Sequence, residues 1–228
     1  MAITQANPVR VLLVDNDPFQ LATLTASLRL HGANIVGEAS NISLAENLFR
    51  SLQPEIILID LQPPAEEGIL FLQKVRKVNP KVGIVVMTSC PDLRLLGLRE
   101  RDIPRGIKII LKAAVSDLSL ITTALSTSLE AAEVGAEISW VGTQSLLKEN
   151  SYIAAISDLT DVQIETLRLV AQGLSNAEIA RVRFVSEKSI EQIVARIAQQ
   201  LRISPERGRN LRVILTSEYF KWVGAPRY

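Results

Sequence analysis

Over the first ~120 positions apolar residues come in short dense runs, separated by longer stretches in which they recur every three or four residues. The runs are Val9–Val14, Ile35–Gly37, Ile56–Ile59, Gly83–Met87 and Ile107–Leu111. They are short and rich in Val and Ile, so they are predicted as strands. The intervening stretches Phe19–Leu30, Leu44–Leu52, Ile69–Asn79 and Asp117–Leu129 have the spacing of amphipathic helices. Five strands that alternate with helices predict an α/β fold: a doubly wound, five-stranded parallel sheet covered on both faces.

Periodicity weakens from Gly135 to Ser157, where Gly135, Gly142, Asn150 and scattered serines predict a linker with one short helix around Gln144–Lys148. Beyond it the pattern is wholly helical. Thr160 with Gln163 and Ser175 with Glu178 each have capping-box spacing, and Gly173 stands where the first helix needs a left-handed stop. A third helix begins near Ser186 and puts Ile190, Ile193, Val194, Ile197, Ala198 and Leu201 on one stripe, and a fourth covers roughly Leu211–Trp222. The expected organisation is a first domain over residues 1–133, a linker over 134–157 and a small all-α domain over 158–228.

In doubly wound sheets ligands bind beyond the carboxyl ends of the strands. Unusual polar residues gather at those ends: Asp15, Asn16 and Asp17 after the first strand, Asp60 at the third, Thr88 and Ser89 at the fourth, and Lys112 at the fifth. Four of five strand ends therefore supply the ingredients of one site. A carboxylate that attacks a phosphoryl donor needs a divalent cation, further carboxylate to hold it, and fixed donors for the transferred oxygens.

Composition narrows the alternatives. At 228 residues the chain has room for two cores. Its net charge of +1 conceals a split, −2 before Asp158 and +3 from there on. An acidic first half suits a cation site and a basic second half suits phosphate-backbone contact. Cys90 is the only cysteine, which excludes an intrachain disulfide and a cysteine cage. His31, the only histidine, stands where a helix should end, as a surface or C-capping imidazole. The opening MAITQANPVR lacks a signal-peptide pattern and no segment has the length of a membrane span, so a cytoplasmic location is expected.

The segments VLLVDND, IILIDLQPPAEEG, VVMTS and IILK resemble the receiver-domain family, over about residues 9 to 130. The resemblance implies a flavodoxin-like fold with Asp60 as phosphoacceptor, and Mg²⁺ held by Asp15, Asn16 and Asp60. It also implies that Thr88 and Lys112 stabilise the phosphoryl group. Asn16 departs from the family, which usually has a carboxylate there; an oxygen ligand is kept and a negative charge is lost, so weaker Mg²⁺ binding is expected. Asp17 is a further candidate for that charge. Ile109 stands where the family usually has an aromatic that couples the site to the surface.

The same residues partly fit the D-x-D pattern of haloacid-dehalogenase-like phosphohydrolases, with Asp15 as nucleophile and Asp17 as general acid/base. That reading lacks the family's second acidic cluster and leaves Asp60 unexplained. A non-enzymatic role is therefore expected.

The run LTDVQIETLRLVAQGLSNAEIARVRFVSEKSIEQIVARIAQQL resembles the LuxR/NarL helix-turn-helix family over about Asp158–Leu201. The resemblance implies that the third helix enters the major groove. Its outward face would carry Lys188, Glu191, Gln192, Ala195, Arg196 and Gln199, with Arg181, Arg183 and Arg202 available to the DNA backbone. Glu191 replaces a usual lysine; it would be repelled by phosphates, or would accept from a cytosine amino group. Together the two resemblances imply a two-component response regulator, phosphorylated by a sensor histidine kinase, that pairs as a homodimer on double-stranded promoter DNA. A regulator acting through protein contacts alone is the alternative.

Overall fold

The computed structural model describes residues 9–115, 118–142, 151–203 and 210–224. The short helix expected around Gln144–Lys148 and the helix start expected at Asp117 lie outside the described residues. Chain contacts group the protein into two compact units.

The first unit is α/β and follows the alternation read from the sequence. Its elements are β1 (Arg10–Val14), α1 (Pro18–Leu30), β2 (Asn34–Ala39), α2 (Ile42–Leu52), β3 (Ile56–Asp60), α3 (Glu66–Val78), β4 (Gly83–Thr88), β5 (Ile107–Leu111), α4 (Ser119–Glu133) and β6 (Ser139–Val141). The parallel sheet runs in the order β2-β1-β3-β4-β5-β6. It has six strands where the sequence predicted five. The extra strand is only three residues of the expected linker and only half-buried, too short to leave a periodic signal; it is recruited by pairing Ser139–Val141 with Lys108–Ile110. Contacts group β6 with the α/β unit.

The central strands are buried on both faces, which is why they read as continuous Val/Ile/Leu runs. Strand order reverses at β1, which lies between β2 and β3, and β1 and β3 open the crevice where such folds bind ligands. Register then sets the site. Val14 pairs Ile59, Asp60 pairs Met87 and Thr88 pairs Leu111, so Asp15, Asp60, Thr88 and Lys112 all emerge at one end of the sheet. Ile109 is buried within the sheet, in register with Val86 and Trp140, and packs as core.

The second unit comprises Gln62–Pro64, Ser89–Arg99 and Gln144–Tyr228. Its helices are α5 (Ser151–Ser157), α6 (Asp161–Ala171), α7 (Asn176–Arg183), α8 (Glu187–Gln200) and α9 (Leu211–Val223). Both expected capping boxes form, Thr160 with Gln163 at α6 and Ser175 with Glu178 at α7. Gly173 follows the α6 C-cap at φ +86°, a backbone state open to glycine without steric penalty. Ile190, Val194, Ile197 and Ala198 of α8 are buried, as the stripe predicted, and Ile193 is half-buried. Gln163 also donates across the bundle to Gln200 Oε1 at 3.1 Å, and Gln200 donates to the Asp158 carbonyl at 2.8 Å, which ties α6 to α8.

Candidate functional site

Asp60 closes β3 with its side chain only 3% exposed, and Lys112 reaches it directly: Nζ donates to Asp60 Oδ2 at 2.6 Å. Asp15 and Thr88 are likewise buried at the ends of β1 and β4. All of β5 but Lys108 is buried, so Lys112 emerges at the sheet end beside the β3 carboxylate, and pairing with it offsets the cost of holding the ammonium largely out of water.

Asp15 is the least comfortable charge in the site. Burial holds its carboxyl above the ordinary value, Asp60 adds to that upward push, and the Asp17 backbone N–H (2.9 Å) and Lys112 oppose it. A buried carboxylate beside a second one is a donor set that a hard cation favours, so Asp15 and Asp60 fit Mg²⁺. Asn16 follows Asp15 and is exposed. Among the described residues no three histidine, cysteine or acidic side chains form a metal cage.

Asp17 has a different occupation. It is the N-cap of α1, and its Oδ1 accepts from Phe19 N at 2.8 Å and Gln20 N at 3.0 Å. These bonds, with a further one from the Gln20 side chain, hold its carboxyl below the ordinary value. The capping role was not read from the sequence, although Asp immediately before Pro at a helix start is a local signal for it.

One contributor has no signal in the sequence. Gln20 Oε1 accepts from Lys112 Nζ at 3.1 Å, while Gln20 Nε2 donates to Asp17 Oδ2 at 3.1 Å. Its partner Lys112 is 92 residues away, and only the folded sheet brings the two together.

In the helical unit, Lys188, Glu191, Gln192, Ala195, Arg196 and Gln199 are exposed along one face of α8, and Arg181 is exposed on α7. Ser186 caps α8 by accepting from Ser189 N. Arg183 is oriented differently from the sequence expectation. Its side chain is 15% exposed, and its guanidinium pairs with Glu165 Oε2 at 2.8 Å and donates to the Val162 carbonyl at 3.1 Å, so it braces α7 against α6. Helical spacing alone could not reveal this, because Arg183 is the last residue of α7 and its direction depends on what α6 offers. The next residue, Phe184, is a left-handed cap at φ 56° and is 95% exposed.

His31 caps α1 and its Nδ1 lies 2.8 Å from the Ser27 carbonyl oxygen, as expected for a helix-end imidazole. Cys90 is fully buried, and burial pushes its thiol up to about 12. No helix among the described residues is long and apolar enough to cross a membrane.

Comparison with known proteins agrees with this layout. Residues 11–96 match the family described as "Response regulator receiver domain", and residues 157–206 match "Bacterial regulatory proteins, luxR family". The nitrate/nitrite response regulator protein NarP of Escherichia coli (strain K12) is 26% identical over 207 residues, covering 87% of this chain and 91% of NarP. The nitrate/nitrite response regulator protein NarL of the same organism is 25% identical over 224 residues, covering 88% and 93%. Among solved structures, the two-component response regulator RcsB in complex with DNA superposes with a TM-score of 0.55 at 22% identity, covering 95% of this chain and 100% of that one. RcsB of Salmonella enterica serovar Typhimurium, bound to promoter P1flhDC in the presence of phosphomimetic BeF3⁻, gives 0.54 at 22% identity with the same coverage. These two structures share the fold. The chain belongs to the two-component response regulators, with a receiver domain followed by a LuxR-type DNA-binding helix-turn-helix domain.

Proposed function

We propose that Asp60 is the phosphoacceptor and that its phosphorylation controls DNA binding by α8. The observation that carries this reading is the 2.6 Å pair between Lys112 Nζ and Asp60 Oδ2 at the end of β3, beside buried Asp15 and Thr88. A carboxylate oxygen of Asp60 forms the new bond to phosphorus. The donor's bond to phosphorus breaks, and its electron pair leaves with the departing group. Lys112 and the Thr88 hydroxyl then hold the transferred oxygens, and the lysine exchanges a carboxylate partner for a phosphoryl one.

Receiver domains generally bind Mg²⁺. Here Asp15, Asp60 and the neutral oxygen of Asn16 would hold it, and when bound it neutralises charge on the phosphoryl oxygens. The donor in the cell would be a phosphohistidine of a sensor histidine kinase, with which response regulators of this type interact. On the DNA side Lys188, Arg196 and Arg181 meet phosphates, with Gln192, Gln199 and Glu191 toward base edges, while a homodimer addresses paired half-sites. With Arg183 engaged by Glu165 and Glu191 in place of a cation, affinity for duplex should be modest and its site preference unusual.

Intact-mass measurement after incubation with acetyl phosphate and Mg²⁺ tests the phosphoryl site. Wild type should gain one phosphoryl group and Asp60→Asn none. A wild type that gains nothing at high Mg²⁺ would make the domain a receiver that signals without phosphate.

A further inference from the structure

Gln20 sits on the first turn of α1, outside the groups that the resemblance implied. Its amide is nevertheless fixed at both ends. The ammonium of Lys112 can only donate and the carboxylate of Asp17 can only accept, so the amide must turn Oε1 toward Lys112 and Nε2 toward Asp17. Asp17 is itself held as the N-cap of α1 by two backbone N–H groups, which makes it a rigid anchor. The result is a continuous chain of charge-assisted bonds from the start of α1, through Gln20, to the lysine that grips Asp60.

Lys112 Nζ has three hydrogens. One is given to Asp60 Oδ2 and one to Gln20 Oε1, and the third remains for an incoming oxygen. Without Gln20 a four-carbon stem would leave the ammonium with several rotamers, only some of which aim a hydrogen at the phosphoryl group. We infer that Gln20 is a positioning residue for phosphoryl transfer: it fixes the Lys112 ammonium beside Asp60 by tethering it to the capped N-terminus of α1. The inference rests on Asp60 being the phosphoacceptor. It places the selectivity for phosphoryl chemistry partly in α1, and not only at the strand ends.

The test follows adduct formation on the full chain, by intact mass against time, with acetyl phosphate and saturating Mg²⁺. Gln20→Met keeps side-chain length but removes both hydrogen bonds, and should slow adduct formation about tenfold. Gln20→Glu should be slower still, because its carboxylate draws the ammonium from Asp60 and repels the incoming phosphoryl group. Mg²⁺ affinity, measured by calorimetry, should stay unchanged for Gln20→Met, since the Asp15 and Asp60 carboxylates are intact. In a Lys112→Met background, Gln20→Met should cause no additional slowing, because a tether without its lysine has nothing to position. Equal rates for wild type and Gln20→Met, or full additivity with Lys112→Met, would overturn the inference while leaving Asp60 as acceptor. A wild type that forms no adduct would instead overturn the phosphoacceptor reading on which it rests.

Discussion

In the α/β unit Asp15, Asp60 and Thr88 are buried, and Lys112 is mostly so; in the helical unit Lys188, Glu191, Gln192 and Arg196 stand in solvent on α8. The difference matches what the role proposed for each surface demands. A phosphoryl site needs charges out of water, where they act strongly and at fixed distances, and each of them then depends on its partner. A groove-reading face needs side chains that can reach a polyanion, so its charges remain hydrated and nearly independent of one another. The first unit therefore concentrates electrostatic strain at the strand ends. The second places its well-made polar contacts in caps and braces, such as Thr160–Gln163, Ser175–Glu178 and Arg183–Glu165, and leaves the proposed DNA face of α8 exposed.

The two environments should respond most differently to the loss of a cation. Lys112→Met should lower unfolding stability by about 2–3 kcal/mol without Mg²⁺, because it leaves two buried carboxylates without their ammonium. Lys81→Met removes an exposed pair with Glu133, in which both side chains are more than half exposed, and should cost less than about 0.5 kcal/mol. Urea denaturation of both variants decides it. Equal losses would mean that burial does not set the strength of the Asp60 pair.

A smaller effect of opposite sign is expected at Asp15. Since burial raises its folded-state pKa above the unfolded value, wild type loses stability as pH rises through that raised value. The loss is absent well below 3.8. Asp15→Asn keeps an oxygen for the Asp17 N–H and removes the charge, so it should melt higher than wild type at neutral pH and at the same temperature in strong acid. Thermal melts across this range without metal test the sign, and a neutral-pH melt lower than wild type would refute it.

The smallest stability change belongs to the α8 face. Glu191→Lys should alter unfolding stability by no more than about 0.5 kcal/mol, because residue 191 is exposed beside the buried Ile190 and Val194. Its effect should appear in binding, where log K against log salt steepens by roughly 0.9 for one added phosphate contact. If Glu191 instead accepts from cytosine, the variant gains on random duplex and loses preference for the gene's own upstream region. Titrations of both DNAs at several salt concentrations separate these outcomes, and no binding by either protein at low salt would remove DNA from the reading.

Features written in short spacings were legible in the chain. Five strands, the amphipathic stripe of α8, both capping boxes and the helix-end role of His31 depend on residues at most a turn or two apart, and steric and capping rules act at that range. The polar strand ends were legible for a related reason: a Val/Ile run that stops on Asp60, Thr88 or Lys112 must present that residue at one edge of the sheet. Strand β6 escaped because three half-buried residues have no period. The grouping of Ser89–Arg99 with the second unit escaped because it reflects contacts between distant segments.

What the amino-acid sequence determined by itself was therefore the kind of each element and the chemical identity of the groups at its ends. Tertiary structure alone decided which of those groups meet. Sheet register brings Asp15, Asp60 and Lys112 to one level, and the packing of α1 adds Gln20 to Lys112. The surface offered by α6 takes Arg183 from the expected DNA face and gives it to Glu165. The physical reason is range: propensity and capping are set within a few residues, whereas partner choice for a charge is set by which acceptor the fold brings within about 3 Å.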